Sequence, residues 1–281
     1  MLLVVSFLLG LLIGIAGAVL MILWFTIPRL EQLYVFRPSK DIFKTPEHFG
    51  INYDQCFIET EDGCRLSAWH MRPPKPCGSV IYFHGNNGNL GILNELFQLF
   101  FHHGLQVFAV DYRGYGWSTG VPTEKGIQKD AVAAVEYFNS NFKKDSVPTI
   151  IWGRSLGGVP ASFAAGKIPP NGLILETTFA DKISLLEDFS HFRFFQYFSR
   201  YKLETAAYLK ERSFPVLVIH GDKDKTIPLK QGQILYNRLS EPKEFWRVAG
   251  AGHIDIHMID TEAYINRILS FVESVKPPVI H

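Results

Sequence analysis

An α/β fold with a mostly parallel, doubly wound sheet, preceded by an N-terminal transmembrane helix, is the architecture the sequence predicts. Three observations lead there. Apolar runs of strand length alternate with helical patterns over most of the chain, the signature of parallel strands joined by crossover helices. Several of those runs are continuously apolar, as suits strands covered on both faces. No charged side chain occurs between Met1 and Pro28.

That first stretch is the first element. The run Leu2 to Ile27 is built almost wholly of Leu, Val, Ile, Phe, Gly and Ala, and it exceeds the roughly 20 helical residues needed to cross a bilayer core. Ala16-Gly17-Ala18 fits a signal-peptidase site, but the apolar run continues from Val19 to Ile27 and no Lys or Arg precedes it. Residues 1–28 therefore read as a single-pass anchor. Arg29, Arg37, Lys40 and Lys44 all follow it, which by the positive-inside rule places the rest of the chain in the cytoplasm. Residues 29–48, with Pro38 and Pro46, read as a linker, and 49–281 as one domain. A chain beginning near Ile42 is expected to be soluble.

Strands are predicted at Gln55–Glu59, Arg65–Met71, Ser79–Phe83, Gln106–Val110, Thr149–Trp152, Gly172–Leu175, Pro215–Ile219 and Glu244–Val248. The first two form a hairpin about Glu61-Asp62-Gly63. Helices are predicted near Ile92–His102, Thr123–Asn139, Leu156–Ala165, Leu229–Leu239 and Thr261–Val275. A hydrophobic content of 47% against 20% charged residues excludes a disordered chain. Twenty-eight basic residues against 27 acidic ones leave a net charge of +1, no field for gripping a polyanion, so nucleic acid is not an expected partner. Cys56, Cys64 and Cys77 form no Cys-x-x-Cys pair. The hairpin sets Cys56 opposite Ser67 and Ala68 rather than Cys64, so all three read as reduced thiols.

The chemistry-bearing residues follow the ends of predicted strands, where ligands bind in open sheets. After Thr149–Trp152 comes Gly153-Arg154-Ser155-Leu156-Gly157-Gly158, a strand-to-helix turn tight enough to strain the serine and expose its hydroxyl. A hydroxyl nucleophile needs a base, and the base an orienting acid. His220-Gly221-Asp222-Lys223-Asp224 follows Pro215–Ile219, and Gly250-Ala251-Gly252-His253 follows Glu244–Val248. An oxyanion needs backbone donors: the Leu156 amide at a helix start, and one from His84-Gly85-Asn86-Asn87-Gly88 after Ser79–Phe83.

With Asp111-Tyr112-Arg113-Gly114-Tyr115-Gly116 these segments make five ordered motifs. From about Ile51 onward the chain resembles a serine hydrolase of the α/β-hydrolase superfamily, in a membrane-anchored branch with a small lid. The resemblance implies Ser155 as nucleophile, Asp224 as acid, His253 as base, and the amides of Asn86 and Leu156 as the oxyanion hole. It implies no cofactor and no metal. Asp222 competes with Asp224 for the acid role. His253 and His257 at a four-residue spacing could mimic a metal pair, whereas His70, His102, His103 and His191 read as surface or packing residues. Asp111–Gly116 reads as scaffold, its arginine and tyrosines fixing a loop.

About 40 residues separate the strands ending at Leu175 and beginning at Pro215, enough for a small lid near 180–212. Phe189, Phe192, Phe194, Phe195, Tyr197, Phe198 and Tyr201 would line an acyl pocket if that lid covers Ser155. Residues 49–281 are thus the catalytic domain, whose expected activity is hydrolysis of carboxylic esters or thioesters carrying an acyl or lipid-like group, and the soluble chain beginning near Ile42 is expected to keep activity on a short ester. An aminopeptidase or amidase on the same triad, and a catalytically inactive membrane scaffold, remain open beside it.

Overall fold

The structure, a computed structural model, describes residues 2–188 and 199–276. Helix α1 runs from Leu2 to Val35. The stretch Val4–Val35 is long and apolar enough to cross a membrane, and its most apolar window, mean hydropathy 2.6, is entirely exposed. The sequence reading began a linker at residue 29, but the helix continues through Pro28 for about two more turns. Packing accounts for the difference. Ile27 is buried, Gln32 Nε2 donates to the Pro122 carbonyl at 2.8 Å, and the Glu31 carboxylate accepts from Ser199 Oγ and the Arg200 amide. Contacts with the following domain thus hold a segment whose proline forfeits a helical hydrogen bond.

Beyond α1, the two-residue strand β1 (Arg37–Pro38) pairs in parallel with β5 (Asn87–Gly88). The main sheet has eight strands: β2 (Asp54–Glu59), β3 (Arg65–Met71), β4 (Gly78–Phe83), β6 (Leu105–Asp111), β7 (Thr149–Arg154), β8 (Gly172–Glu176), β9 (Val216–Gly221) and β10 (Lys243–Val248). Their order is β10-β9-β8-β7-β4-β6-β3-β2. All pairings are parallel except β2 with β3 and β3 with β6. In the hairpin Cys56 lies opposite Ala68, and all three cysteines are free.

Helices cover both faces. On one lie α3 (Glu124–Asn141), α4 (Gly158–Lys167) and α6 (Leu229–Arg238); on the other, α2 (Asn94–His102) and α8 (Thr261–Ser274), preceded by the short α7 (Ile256–Ile259). The sequence of α3 shows why it forms there. Thr123 caps it through Gly126 N at 3.0 Å, and Ile127, Ala131, Ala134, Val135 and Phe138 form one buried stripe at helical spacing. In the stretch predicted as a lid, α5 (Lys182–Glu187) is capped by Asp181, and among the described residues a 3₁₀ turn spans Ala207–Leu209. Phe189, His191, Phe192, Phe194, Phe195, Tyr197 and Phe198 lie outside the described residues.

From the central β4 the chain steps to β6 on one side and then to β7 on the other. The loop after β4 and the turn after β7 therefore meet where the winding reverses, the position at which such sheets bind ligands.

Candidate active site

β7 runs two residues past the predicted end at Trp152 and delivers Ser155 into a 3₁₀ turn, Ser155–Gly157, that leads into α4. Ser155 has φ 54°, a left-handed conformation that costs a non-glycine residue on the order of 1–3 kcal/mol. The flanking glycines make the turn possible. A Cβ on Gly157 would collide with the carbonyl oxygens of Phe83 and His84, and one on Gly153 would lie 2.7 Å from the Ala161 methyl. Strand β4 and helix α4 thus approach closely enough to hold the serine in this conformation.

Ser155 Oγ lies 3.1 Å from His253 Nε2, and His253 Nδ1 lies 2.7 Å from Asp224 Oδ2. The other Asp224 oxygen accepts from the amides of Thr226 and Ile227, at 2.8 and 2.9 Å. Asp222 does not reach the histidine. Its carboxylate accepts from Arg247 and from the Gly250 amide, each at 2.8 Å, and the arginine holds it below the usual carboxylate range. His220 supports the loop that carries Asp224 by donating Nε2–H to the Ile227 carbonyl at 2.8 Å, while burial lowers its pKa and keeps it neutral.

Gly85 abuts Ser155, since a Cβ there would sit 3.5 Å from Ser155 Cβ. Its carbonyl accepts from His84 Nδ1 at 2.7 Å. Because a trans peptide sets N–H opposite C=O, that bond fixes the direction of the Asn86 amide. The Asn86 carbonyl is held in turn by Tyr115 Oη at 2.8 Å and by the Arg37 amide of β1 at 2.9 Å. Tyr112 Oη donates to the His84 carbonyl at 2.8 Å, and Arg113 bridges Asp130 and Asp62. The Asp111–Gly116 segment therefore braces the loop that contains Asn86. Leu156, the other expected donor, follows Ser155 directly in the 3₁₀ turn.

Arg154 and Glu176 were not among the candidates read from the sequence. They are cross-strand partners on β7 and β8, both buried, with Arg154 Nε 3.2 Å from Glu176 Oε1. Burial opposes the arginine's charge, but the Glu176 carboxylate together with the Tyr82 and Tyr264 hydroxyls outweighs that penalty and raises its pKa. Arg154 also donates to the carbonyls of His253 and Ile254, at 3.3 and 2.7 Å, and Tyr264 Oη donates to Glu176 at 2.7 Å. This pair holds the histidine loop from below. The extra charge between the glycine and the serine was the only sign of it, and it acquires meaning only when β7 and β8 are in register.

His257 does not join His253. It sits on α7, in a cleft shared with His102, His103 and Met258, and burial lowers its pKa. Among the described residues no three His, Cys, Asp or Glu side chains converge as metal ligands. The Ser155–His253–Asp224 arrangement can generate a nucleophile at neutral pH by passing the hydroxyl proton to an imidazole that a carboxylate orients.

The family model described as serine aminopeptidase, S33, matches residues 74–193. An uncharacterised protein of Mycobacterium tuberculosis is 30% identical over 265 residues, 92% of this chain and 91% of that protein. The alpha/beta hydrolase domain-containing protein WAV2 of Arabidopsis thaliana is 27% identical over 260 residues, 85% of this chain and 84% of it. Among solved structures, the Pyrococcus furiosus esterase Pf2001 superposes with a TM-score of 0.72 at 20% identity, over 86% of this chain and 98% of that one.

Proposed function

The chain belongs to the α/β-hydrolase superfamily, and from that membership we propose that it is a membrane-tethered serine hydrolase that cleaves acyl esters or thioesters through an acyl-Ser155 intermediate. The observation that carries the reading is the strained Ser155 with His253 and Asp224 in hydrogen-bonding sequence behind it.

In the first step Ser155 Oγ attacks the carbonyl carbon while His253 Nε2 takes the hydroxyl proton. Negative charge collects on the carbonyl oxygen, facing the Asn86 and Leu156 amides. His253 then gives its proton to the departing alkoxide or thiolate, leaving the acyl group on Ser155. A water, deprotonated by the same imidazole, attacks the acyl carbon and releases the acid and the free hydroxyl. Asp224 keeps Nδ1 protonated and stabilises the imidazolium in both halves. The anchor is residues 1–28 with the docked turns beyond, and the basic residues Arg29, Arg37, Lys40 and Lys44 support a cytoplasmic catalytic domain.

The matched family model favours an aminopeptidase as the second reading. Such an enzyme needs an acid to receive the substrate ammonium. Glu176, the buried carboxylate closest in sequence register to Ser155, is already taken up by Arg154 and Tyr264, which supports an uncharged acyl group instead. Each buried methylene contributes about 0.8 kcal/mol. We therefore expect kcat/KM to rise severalfold per two carbons from acetyl toward medium-chain p-nitrophenyl esters. A preference for aminoacyl amides over every acyl ester would replace this reading with the second one, and failure of full-length protein to react with a fluorophosphonate would leave only an inactive scaffold.

Activity should also depend on β1. Sequence reading alone expected a chain beginning near Ile42 to stay active. That chain lacks Arg37 and Ser39, whose amides bind the Asn86 and Gly88 carbonyls at 2.9 Å each. We expect it to remain folded by circular dichroism, yet to hydrolyse p-nitrophenyl acetate at least about tenfold more slowly, the loss expected when a transition-state donor is misplaced. Undiminished turnover would show that the loop after β4 needs no support from the anchor side.

A further inference from the structure

The geometry points to a catalytic face held against the bilayer surface, with the membrane itself as the docking partner and acyl chains still resident in the leaflet as the substrate class. The inference rests on the membrane-tethered hydrolase reading above and adds the orientation of the domain.

Depth along α1 is set by its charges and aromatics. Arg29 is the first charged residue of the chain, so the hydrocarbon core ends short of it. The guanidinium of Arg200, from the segment following the lid helix α5, lies 6.0 Å from the Trp24 ring centroid. Tryptophan favours the membrane–water boundary, so this contact brings a part of the catalytic domain to headgroup level. From Trp24 to Val35 the helix rises about 17 Å, and any tilt shortens that height. Arg37, two residues later, bonds the Asn86 carbonyl, in the loop that abuts Ser155. The headgroup layer is itself about 5–8 Å thick. The oxyanion loop thus stands about 10 Å beyond that layer on an upright helix and nearer to it on a tilted one.

The surface around this loop fits such a location. Beyond Arg29, Leu30, Leu33 and Tyr34 on α1 are 62%, 72% and 67% exposed, an apolar track rising from the span toward the site. Ile254, adjacent to His253, and Phe43, adjacent to the loop segment at Gly91 through its neighbours Ile42 and Lys44, are 72% and 85% exposed. Each apolar side chain left in water forgoes the gain of burial. Because these residues flank the carboxyl ends of the strands and the end of the span, one apolar phase can receive them together. A substrate carbonyl at the interface would reach Ser155 without its chain leaving the leaflet.

Site-directed fluorescence in vesicles of phosphatidylcholine and phosphatidylserine tests the orientation. Single NBD labels are placed on full-length protein at Ile254→Cys, Leu33→Cys and Leu12→Cys in a Cys64→Ser, Cys77→Ser background, and, in a Cys64→Ser background, on native Cys77, which is exposed at the amino end of β4, the end of the sheet opposite Ser155. We expect labels at 254 and 33 to be quenched by headgroup-proximal nitroxide lipids and shielded severalfold from iodide relative to Cys77. The Leu12→Cys label should be quenched by lipids spin-labelled deep in the chain. Iodide access at 254 and 33 equal to that at Cys77, with residue 12 still deep, overturns the apposed face and leaves the tether. A water-exposed residue 12 overturns both.

Discussion

Ser155→Ala is expected to abolish fluorophosphonate labelling and to reduce ester turnover by several orders of magnitude, with His253→Ala falling about as far. The two side chains act as a unit, so losing either removes most of what both supply. Asp224→Asn should cost on the order of 10⁴ in kcat, because an amide facing Nδ1 no longer selects the tautomer that leaves Nε2 free to accept the serine proton. Asp222→Asn should stay close to the parent, since that carboxylate is engaged by Arg247 and Gly250 and does not reach His253. Steady-state kinetics on one p-nitrophenyl ester, with probe labelling alongside, separates these outcomes. A dead Asp222→Asn beside a near-normal Asp224→Asn reverses the acid assignment.

Arg154→Met should have the largest effect on stability. It strands the Glu176 carboxylate in the sheet interior with Tyr264 as its remaining partner, and breaking a buried pair costs about 3–5 kcal/mol. For a domain of this size that lowers Tm on the order of 10 °C. Adding Glu176→Leu removes the stranded charge and should restore most of the loss, because apolar replacement of a buried pair is often neutral. Turnover should not recover with it, since neither variant restores the guanidinium that binds the His253 and Ile254 carbonyls. Thermal melts and kcat measured on single and double variants give the contrast. Recovery of both together would limit Arg154 to a structural role.

The framework was legible in the sequence because parallel strands covered on both faces announce themselves as apolar runs. Every predicted strand and helix occurs, with small shifts at the ends. The shifts follow a pattern: β7, β8 and β9 extend beyond their predicted ends to include Arg154, Glu176 and His220. Such residues do not read as buried strand: cross-strand register pairs Arg154 with Glu176, and the loop that follows β9 supplies the Ile227 carbonyl to His220. The positions of Ser155, Asp224 and His253 were readable from glycine-rich turns after strands, which local sequence encodes. The choice of Asp224 over Asp222 depends on two amides and an arginine from elsewhere in the fold. Least visible was the end of α1. Charge beginning at Arg29 reads as a linker, while the packing of Ile27, Glu31 and Gln32 that keeps it helical comes from residues about 90 to 170 positions away.

On the membrane-tethered hydrolase reading, that docked end also changes how the enzyme would search for its substrate. A flexible tether raises local concentration but leaves the domain tumbling, so each encounter must still find the right attitude. Where the span continues as a rigid helix bonded to Pro122 and Ser199, and β1 directly after it is bonded to the loop after β4, rotation about axes in the membrane plane is removed when the chain folds. The search reduces to lateral diffusion and spin about the membrane normal, and the orientational entropy of each encounter is lost once, at folding, rather than at every turnover.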